Sequence, residues 1–342
     1  MKAILIGFGN VGRTIARILS VERQRFPGLQ ELDLKVVGIF TRTRGSIVDD
    51  GGLDLACALD AIEQHGRFLP EMKGYCGMSA KEAAEVLDYD VLVELSTLSI
   101  DTGGEPALSH IKTALQRSKH AVSANKGPVA FAYHELKKIA DEKGVKFLFE
   151  SAVMDGAPVF NMARNCLKGC QVEEIDGILN STTNYILTRM EEGISLEEAV
   201  REAQKMGFAE ADPSNDIDGW DAAAKICVLA NAIMDAEINP KEVKRKGIGD
   251  ITCEYIKVVR QKKKCLKLIC SAKKVGTQVI TTVEPVEVDE GHFFASVKGE
   301  GAVIRLKTDL MGPIIVTQEA PDLYDTAYGV IDDLLTIHRK TI

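Results

Sequence analysis

KAILIGFGNVG, residues 2–12, sets the architecture of this chain. Its first half is a continuous apolar run, the pattern of a strand buried on both faces of a parallel sheet. Its second half, Gly7-Phe8-Gly9-Asn10-Val11-Gly12, has G-x-G-x-x-G spacing and leads into a helical pattern at Arg13–Leu19, with Ile15, Ile18 and Leu19 on one face. Alone, that spacing says little. Between a strand and a helix it is the context that dinucleotide binding requires. The first glycine makes the tight turn, the second lets the backbone approach a pyrophosphate, and the phosphate rests on the helix N-terminus. Gly7, Phe8, Gly9, Asn10, Val11 and Gly12 are therefore candidate cofactor-binding residues, with a purely structural turn as the alternative.

The second strand, Leu34–Phe40, ends in Thr41-Arg42-Thr43-Arg44, and no Asp or Glu follows before Asp49. An acidic residue at this place would hold the ribose hydroxyls of NAD, whereas an arginine accommodates a 2′-phosphate. The reading favours NADP(H) over NAD(H) with Arg42 as the better candidate, against a solvated loop arginine. Ser79 and Glu82 have capping-box spacing for a helix over Ser79–Leu87. The strand Asp90–Leu95 then ends in Ser96-Thr97, a helix covers Gly104–Ser118, and the strand His120–Ser123 leads to Ala124-Asn125-Lys126. Repeated strand–helix alternation predicts a parallel sheet covered on both faces. Ligands bind beyond the carboxyl ends of such strands, which groups Ser96, Thr97, Ser123 and Lys126 in one crevice.

Composition narrows the class. With 42 basic and 50 acidic residues the net charge is −8, which argues against broad nucleic-acid binding. The basic run Lys257–Lys267, KVVRQKKKCLK, is a local exception and reads as a solvated helix end and strand start. The eight cysteines contain no C-x-x-C pair and no ligand-spaced Cys/His pair. They read as reduced, buried residues of a cytoplasmic protein. Neither a signal peptide nor a membrane-spanning run is expected.

Gly177–Ala230 carries the remaining chemistry. NSTTN opens one helix. Ser195 and Glu198 frame a second over Leu196–Met206, which Gly207 closes in a C′ position. The acidic loop AEADPSNDIDG feeds a third helix, on which Asp221 and Lys225 lie four residues apart and so share a face. From Cys265 the runs KCLKLICSA, GTQVITTVEPVEV, HFFASVKG, GAVIRLKT and PIIVTQ read as β-structure, mostly antiparallel. Asp325–His338 reads as an amphipathic helix packing back on the nucleotide domain.

Three stretches, EPALSHIKTALQRSKHAVSANKGPVA, ILNSTTNYILTRM and EAQKMGFAEADPSNDIDGWDAAAKI, resemble homoserine dehydrogenase. The resemblance implies an α/β fold. Its Rossmann-type parallel-sheet nucleotide-binding domain spans 1–150 and is completed by the helix 322–342. An α+β substrate-binding and dimerisation domain spans 151–321. It also implies NAD(P)-dependent interconversion of L-homoserine and L-aspartate 4-semialdehyde, in threonine, methionine and isoleucine biosynthesis, by a homodimer. Lys225 corresponds to the catalytic lysine and Lys126 to the lysine between cofactor and substrate. Glu210 and Asp221 correspond to the substrate carboxylates. Gly207 joins the cofactor-binding set. A structural Na+ is implied at Glu150, Val153, Asp155 and Ala157, held through main-chain carbonyls. No regulatory domain is expected after the last helix.

The residues support that assignment independently. A lysine of reference pKa ~10.4 becomes a base only where burial or another cation lowers it. Lys225 and Lys126 acting on one oxygen would do so, with Asp221 opposing and positioning. The acidic loop can hold the substrate ammonium, and the helix start at Thr182–Asn184, with Thr182 and Asn184 as contacts, suits the substrate carboxylate. Two departures stand out: Gln318–Asp325 (QEAPDLYD) where the family has a glycine-rich turn, and Ser181 where it has glycine. Competing readings are another Rossmann dehydrogenase acting on a small amino or hydroxy acid, and a dinucleotide-sensing protein without activity.

Overall fold

A computed structural model describes residues 1–207 and 209–339. Phe208, within the GFAEADPSNDIDG motif, and residues 340–342, the end of the segment 322–342, lie outside the described residues. The chain divides into two units: Met1–Pro158 with the segment from Asp322 onward, and Val159–Pro321.

Seven strands form the sheet of the first unit: β1 (Lys2–Ile6), β2 (Lys35–Phe40), β3 (Ser46–Val48), β4 (Tyr75–Cys76), β5 (Val91–Glu94), β6 (His120–Ser123) and β7 (Phe147–Leu148). Their order is β4-β3-β2-β1-β5-β6-β7. β2, β1, β5, β6 and β7 are parallel, and β3 and β4 extend the edge antiparallel. This is the Rossmann-type arrangement. The chain leaves β1 towards β2 on one side, while β5 and β6 build outward on the other. The switch point, where a crevice opens, therefore lies at the carboxyl ends of β1 and β5. The helix Leu323–His338 belongs to this unit, with Ala327, Val330, Ile331 and Leu334 in the same buried cluster as Leu5 and Ile15. Asp322 accepts from the Tyr324 and Asp325 amides while Asp325 accepts from the Asp322 amide, a reciprocal cap. Two carboxylates of the unusual Gln318–Asp325 turn are thus engaged in starting a helix.

The second unit holds β8 (Val172–Ile178), β9 (Lys244–Arg245), β10 (Lys264–Val275), β11 (Gln278–Asp289), β12 (Ala302–Thr308) and β13 (Pro313–Gln318), in the order β13-β12-β8-β10-β11-β9. All neighbours are antiparallel except β9 with β11. The helices Ser181–Glu191, Trp220–Met234 and Cys253–Gln261 pack against β10.

Three expectations change. The HFFASVKG run is not a strand: Phe293–Ser296 is a helical turn, started by His292 Nδ1 accepting from the Phe294 amide. Phe294, Ala295 and Val297 bury into the core cluster, so local burial outweighs the β propensity of the phenylalanines. Of the cysteines, only Cys227, Cys265 and Cys270 are buried, while Cys57 and Cys166 are exposed; all eight are unpaired. The basic run is solvated only in part. Lys262 pairs with Glu287 at 3.0 Å and Lys264 with Asp289 at 3.7 Å across the hairpin, but Lys267 is 2% exposed. Among the described residues no helix is long and apolar enough to cross a membrane.

Replacing Asp322 by alanine removes the carboxylate oxygen that accepts both amides at the start of the last helix. The expected loss is about 1 kcal/mol, read as a lowered denaturation midpoint.

Candidate active site

In the first unit the nucleotide residues gather at the carboxyl end of β1. Gly7 has φ +99°, and a Cβ there would lie 2.8 Å from both the carbonyl carbon and oxygen of Leu95. Glycine is required on both counts. Gly9 is the N-cap of the helix Asn10–Leu19 and offers no side-chain cap, and a Cβ on it would meet nothing within 4 Å. The first turn of that helix holds no acidic side chain. Amides at an uncapped N-terminus facing open space fit a pyrophosphate. Arg44, half-buried, donates from Nη1 to the Phe8 carbonyl at 3.4 Å, whereas Arg42 is exposed. Arg13, absent from the sequence-based set, donates to Asn10 Oδ1 at 2.7 Å beside the same turn.

The ends of β5 and β6 are tied by polar groups. Glu94 is fully buried, and a buried carboxylate needs compensating donors. Its Oε1 accepts the Ser96 amide at 2.8 Å and its Oε2 faces His110 Nδ1 at 2.8 Å. Asn125 caps the helix Lys126–Lys143 through Oδ1, which accepts the Gly127 amide at 2.9 Å. Its Nδ2 lies 3.3 Å from both Ser96 Oγ and the Thr97 carbonyl. Ser123 is fully buried and donates to the Asn125 carbonyl at 2.8 Å. Ser96, Thr97, Ser123 and Lys126 thus sit on neighbouring turns of one sheet end. Sequence reading passed over Glu94, His110 and Asn125, because an acid within an apolar strand and an asparagine in a quoted motif carry no periodic signal.

In the second unit β8 ends at Ile178, and Asn180 caps the helix Ser181–Glu191 by accepting the Thr183 amide at 2.8 Å. Lys225 Nζ lies 3.0 Å from Asp221 Oδ2 and donates to the Leu179 carbonyl at 2.7 Å. The i,i+4 pair predicted from sequence is therefore formed, with side-chain exposures of 17% for Lys225 and 15% for Asp221. Asn180 Nδ2 lies 2.7 Å from Asp216 Oδ1 and 2.9 Å from Asp221 Oδ2. The result is a half-buried constellation of one amine and two carboxylates at a strand's carboxyl end, able to hold an ammonium and to exchange a proton.

The other candidates are placed as follows. Thr182 is buried in the first turn of the same helix. Asn184 is fully buried, and its Nδ2 donates to the carbonyls of Gly299 (2.9 Å), Gly301 (3.2 Å) and Val297 (3.3 Å). Lys267 Nζ donates to Asn184 Oδ1 at 2.9 Å and to the Val297 carbonyl at 2.6 Å. Glu210 is exposed, with its carbonyl accepting from Gln204 Nε2 at 3.0 Å. Gly207 ends the helix Leu196–Met206 with φ 85°. At Glu150, Val153, Asp155 and Ala157 the chain makes a tight turn. Met154 and Asp155 have φ 55° and 54°, Thr326 donates to Asp155 Oδ1 at 2.9 Å, and the Glu150 amide donates to Asp333 Oδ2 at 2.8 Å. Among the described residues no group of three or more His, Cys, Asp or Glu side chains is arranged for a metal.

A Rossmann-type unit with an open glycine turn, and a second unit that aligns a lysine with paired carboxylates, define a nicotinamide-nucleotide-dependent oxidoreductase. Residues 158–335 match the family described as homoserine dehydrogenase, and residues 7–150 match its NAD binding domain. The homoserine dehydrogenase of Methanocaldococcus jannaschii is 37% identical over 100% of this chain and 99% of its own length. An NAD(+)-dependent homoserine dehydrogenase of Pseudomonas canavaninivorans is 33% identical over 99% of this chain and 96% of its own. A hyperthermophilic archaeal homoserine dehydrogenase solved in complex with NADPH has a TM-score of 0.83 at 29% identity, covering 100% of this chain and 98% of that one. The homoserine dehydrogenase structure from Thermoplasma acidophilum has a TM-score of 0.84 at 25% identity, with 99% of each chain covered. The chain belongs to the homoserine dehydrogenase family. It is an NAD(P)-dependent oxidoreductase that interconverts L-homoserine and L-aspartate 4-semialdehyde.

Two measurements check the buried network of the second unit. Asn184→Ala removes the amide donor of the Gly299 and Gly301 carbonyls and one of the two acceptors of the Lys267 ammonium, and about 2–3 kcal/mol of stability should be lost in denaturant titration. Burial holds Lys267 below the ordinary lysine value of 10.5, so between the two values the unfolded chain binds more protons than the folded one. Stability from this group therefore rises with pH in that window. The melting temperature of the wild type should gain on that of Lys267→Met as pH is raised towards 10.5.

Proposed function

We propose that Lys225 exchanges the proton of the substrate hydroxyl, a reading carried by its placement against Asp221 and the Leu179 carbonyl at the end of β8. A nicotinamide nucleotide held at the Gly7–Gly12 turn would supply the hydride-transfer chemistry at the carbinol carbon in either direction. In oxidation the hydroxyl proton passes to the neutral amine of Lys225, and the carbon–oxygen bond becomes the aldehyde carbonyl. In reduction the Lys225 ammonium gives a proton to the oxygen of the developing alkoxide. Asp221 holds Lys225 in place, and Lys126, at the start of its helix, is the assisting lysine of the cofactor-binding unit.

The substrate ammonium is assigned to the carboxylates Asp221 and Glu210, since a charge-assisted contact orients more strongly than a neutral one. The substrate carboxylate is assigned to the helix start at Thr182. The Asn184 amide, engaged with the 297–301 carbonyls, supports that turn from behind. Gly7 to Gly12, Ser96, Thr97, Ser123 and Gly207 remain assigned to the cofactor.

NADP(H) preference is supported by the absence of an acidic residue at the end of β2 and by two arginines there. Arg44 reaches the Phe8 carbonyl and Arg42 stands exposed beside it. Related proteins carry names pointing to each nucleotide. A Na+ ion at the carbonyls of Glu150, Val153, Asp155 and Ala157 is supported by the left-handed turn at Met154 and Asp155. A homodimer is supported by apolar residues exposed on the second unit's sheet and hairpin, among them Met311 and Ile315. Unpaired cysteines support a reducing, cytoplasmic setting for a biosynthetic step towards threonine, methionine and isoleucine.

Lys225→Ala should lower turnover at least about 10²-fold in both directions with NADPH binding unchanged; near-normal turnover would overturn the assignment. Arg42→Ala and Arg44→Ala should each raise KM for NADP roughly tenfold and leave that for NAD unaltered, if the guanidinium groups hold the 2′-phosphate.

A further inference from the structure

We propose that Asn180 is a positioning residue for this reaction, its one amide nitrogen bridging Asp216 and Asp221 and so fixing Asp221, the carboxylate that meets Lys225. The inference rests on the assignment of Lys225 as the proton-exchanging group.

Asn180 is 4% exposed and stands between β8 and the helix it caps. Chemistry decides its orientation. A backbone amide only donates and ionised carboxylates only accept. The Asn180 oxygen therefore takes the Thr183 amide, and the nitrogen faces both acids, at 2.7 and 2.9 Å. Each of its two hydrogens serves one carboxylate. Asp216 comes from the short helix Ser214–Ile217 and Asp221 from Trp220–Met234. Two anions within reach of one nitrogen repel, and the shared donor offsets that repulsion without bringing a counter-charge.

The bridge also acts on the lysine. Asp221 Oδ2 accepts from Asn180 and is the same oxygen that meets Lys225 Nζ at 3.0 Å. A neutral donor on that oxygen moderates its pull on the ammonium, which eases release of the proton. Other ionisable groups stand near this pair. The Cys270 thiol on β10, towards Lys225 and Asp221, is pushed up to about 12 by burial and stays neutral. Arg245 stacks on Trp220 at 3.7 Å and donates to the Asp218 carbonyl, while Asp212 and Asp218 are themselves exposed.

Two full-length variants test this. Asn180→Ser and Asn180→Asp both keep an acceptor for the Thr183 amide, so the helix start is retained, and both lose the bridging donor. Asn180→Ser should raise KM for homoserine roughly tenfold, with a smaller fall in kcat and unchanged NADPH affinity. Asn180→Asp adds an anion that favours the ammonium form of the lysine. The limb of the kcat/KM profile for homoserine oxidation that reports the neutral amine should move to higher pH by about one pH unit, and that of Asn180→Ser should move in the same direction by less, since it loses the donor without adding a charge. Wild-type KM in Asn180→Ser together with a wild-type pH profile in Asn180→Asp would overturn the proposal. A lowered melting temperature with both kinetic readouts unchanged would equally reduce Asn180 to a helix cap. If Lys225→Ala retained turnover, the assignment beneath would fail instead. An inactive Lys225→Ala beside wild-type-like Asn180 variants would sink this inference alone.

Discussion

The first unit depends on a side chain that is missing. Gly7 presses against the Leu95 carbonyl so closely that a Cβ has no room, and this contact joins the ends of β1 and β5. The sheet switches direction there, so the loops on either side diverge and a crevice opens. The residues of this unit assigned to the cofactor are arranged around that approach. The uncapped helix start at Gly9 follows from the turn, and the Ser96 turn is held by Glu94, itself balanced by His110. A buried carboxylate without such partners would be costly, so the polar set under the crevice has to be complete.

The second unit meets a similar demand with different groups. Its helix Ser181–Glu191 is fastened at two levels. Asn184 and Lys267 tie it to the carbonyls of residues 297–301, and Asn180 ties its start to Asp216 and Asp221. The deeper level is a buried cation held by neutral dipoles; the shallower one carries the Lys225–Asp221 pair. Rigid support below a half-buried ion pair keeps its geometry set before a ligand arrives.

Legibility in the sequence followed locality. Ser79 with Glu82, Ser195 with its helix and Asp221 with Lys225 all act within one turn, and each was read from spacing alone. Strands β2, β5 and β6 were found within a residue of their ends because each centres on a short apolar stretch. HFFASVKG failed because phenylalanine-rich runs bury equally well in a helical turn. Lys267 failed because a lysine in a basic run gives no hint of burial until its strand partner and the 297–301 turn are known. The donation of the Asn184 amide to the carbonyls of residues 297–301 was not legible either, because those partners lie more than a hundred residues along the chain.

By itself the sequence determined the nucleotide turn, the alternation that makes a parallel sheet, and the lysine–aspartate pair on one helical face. Each is fixed by neighbours along the chain, through backbone sterics, period and i,i+4 geometry. Tertiary structure alone decided which polar groups meet across elements: Glu94 with His110, Asn125 with Ser96, Lys267 with Asn184, and Asn180 with Asp216 and Asp221. Those pairings depend on how strands register and helices pack, because a hydrogen bond forms or fails within a few tenths of an ångström. The opening glycine turn was visible in eleven letters, and the asparagine bridge beside Lys225 and Asp221 was visible only once the chain had folded.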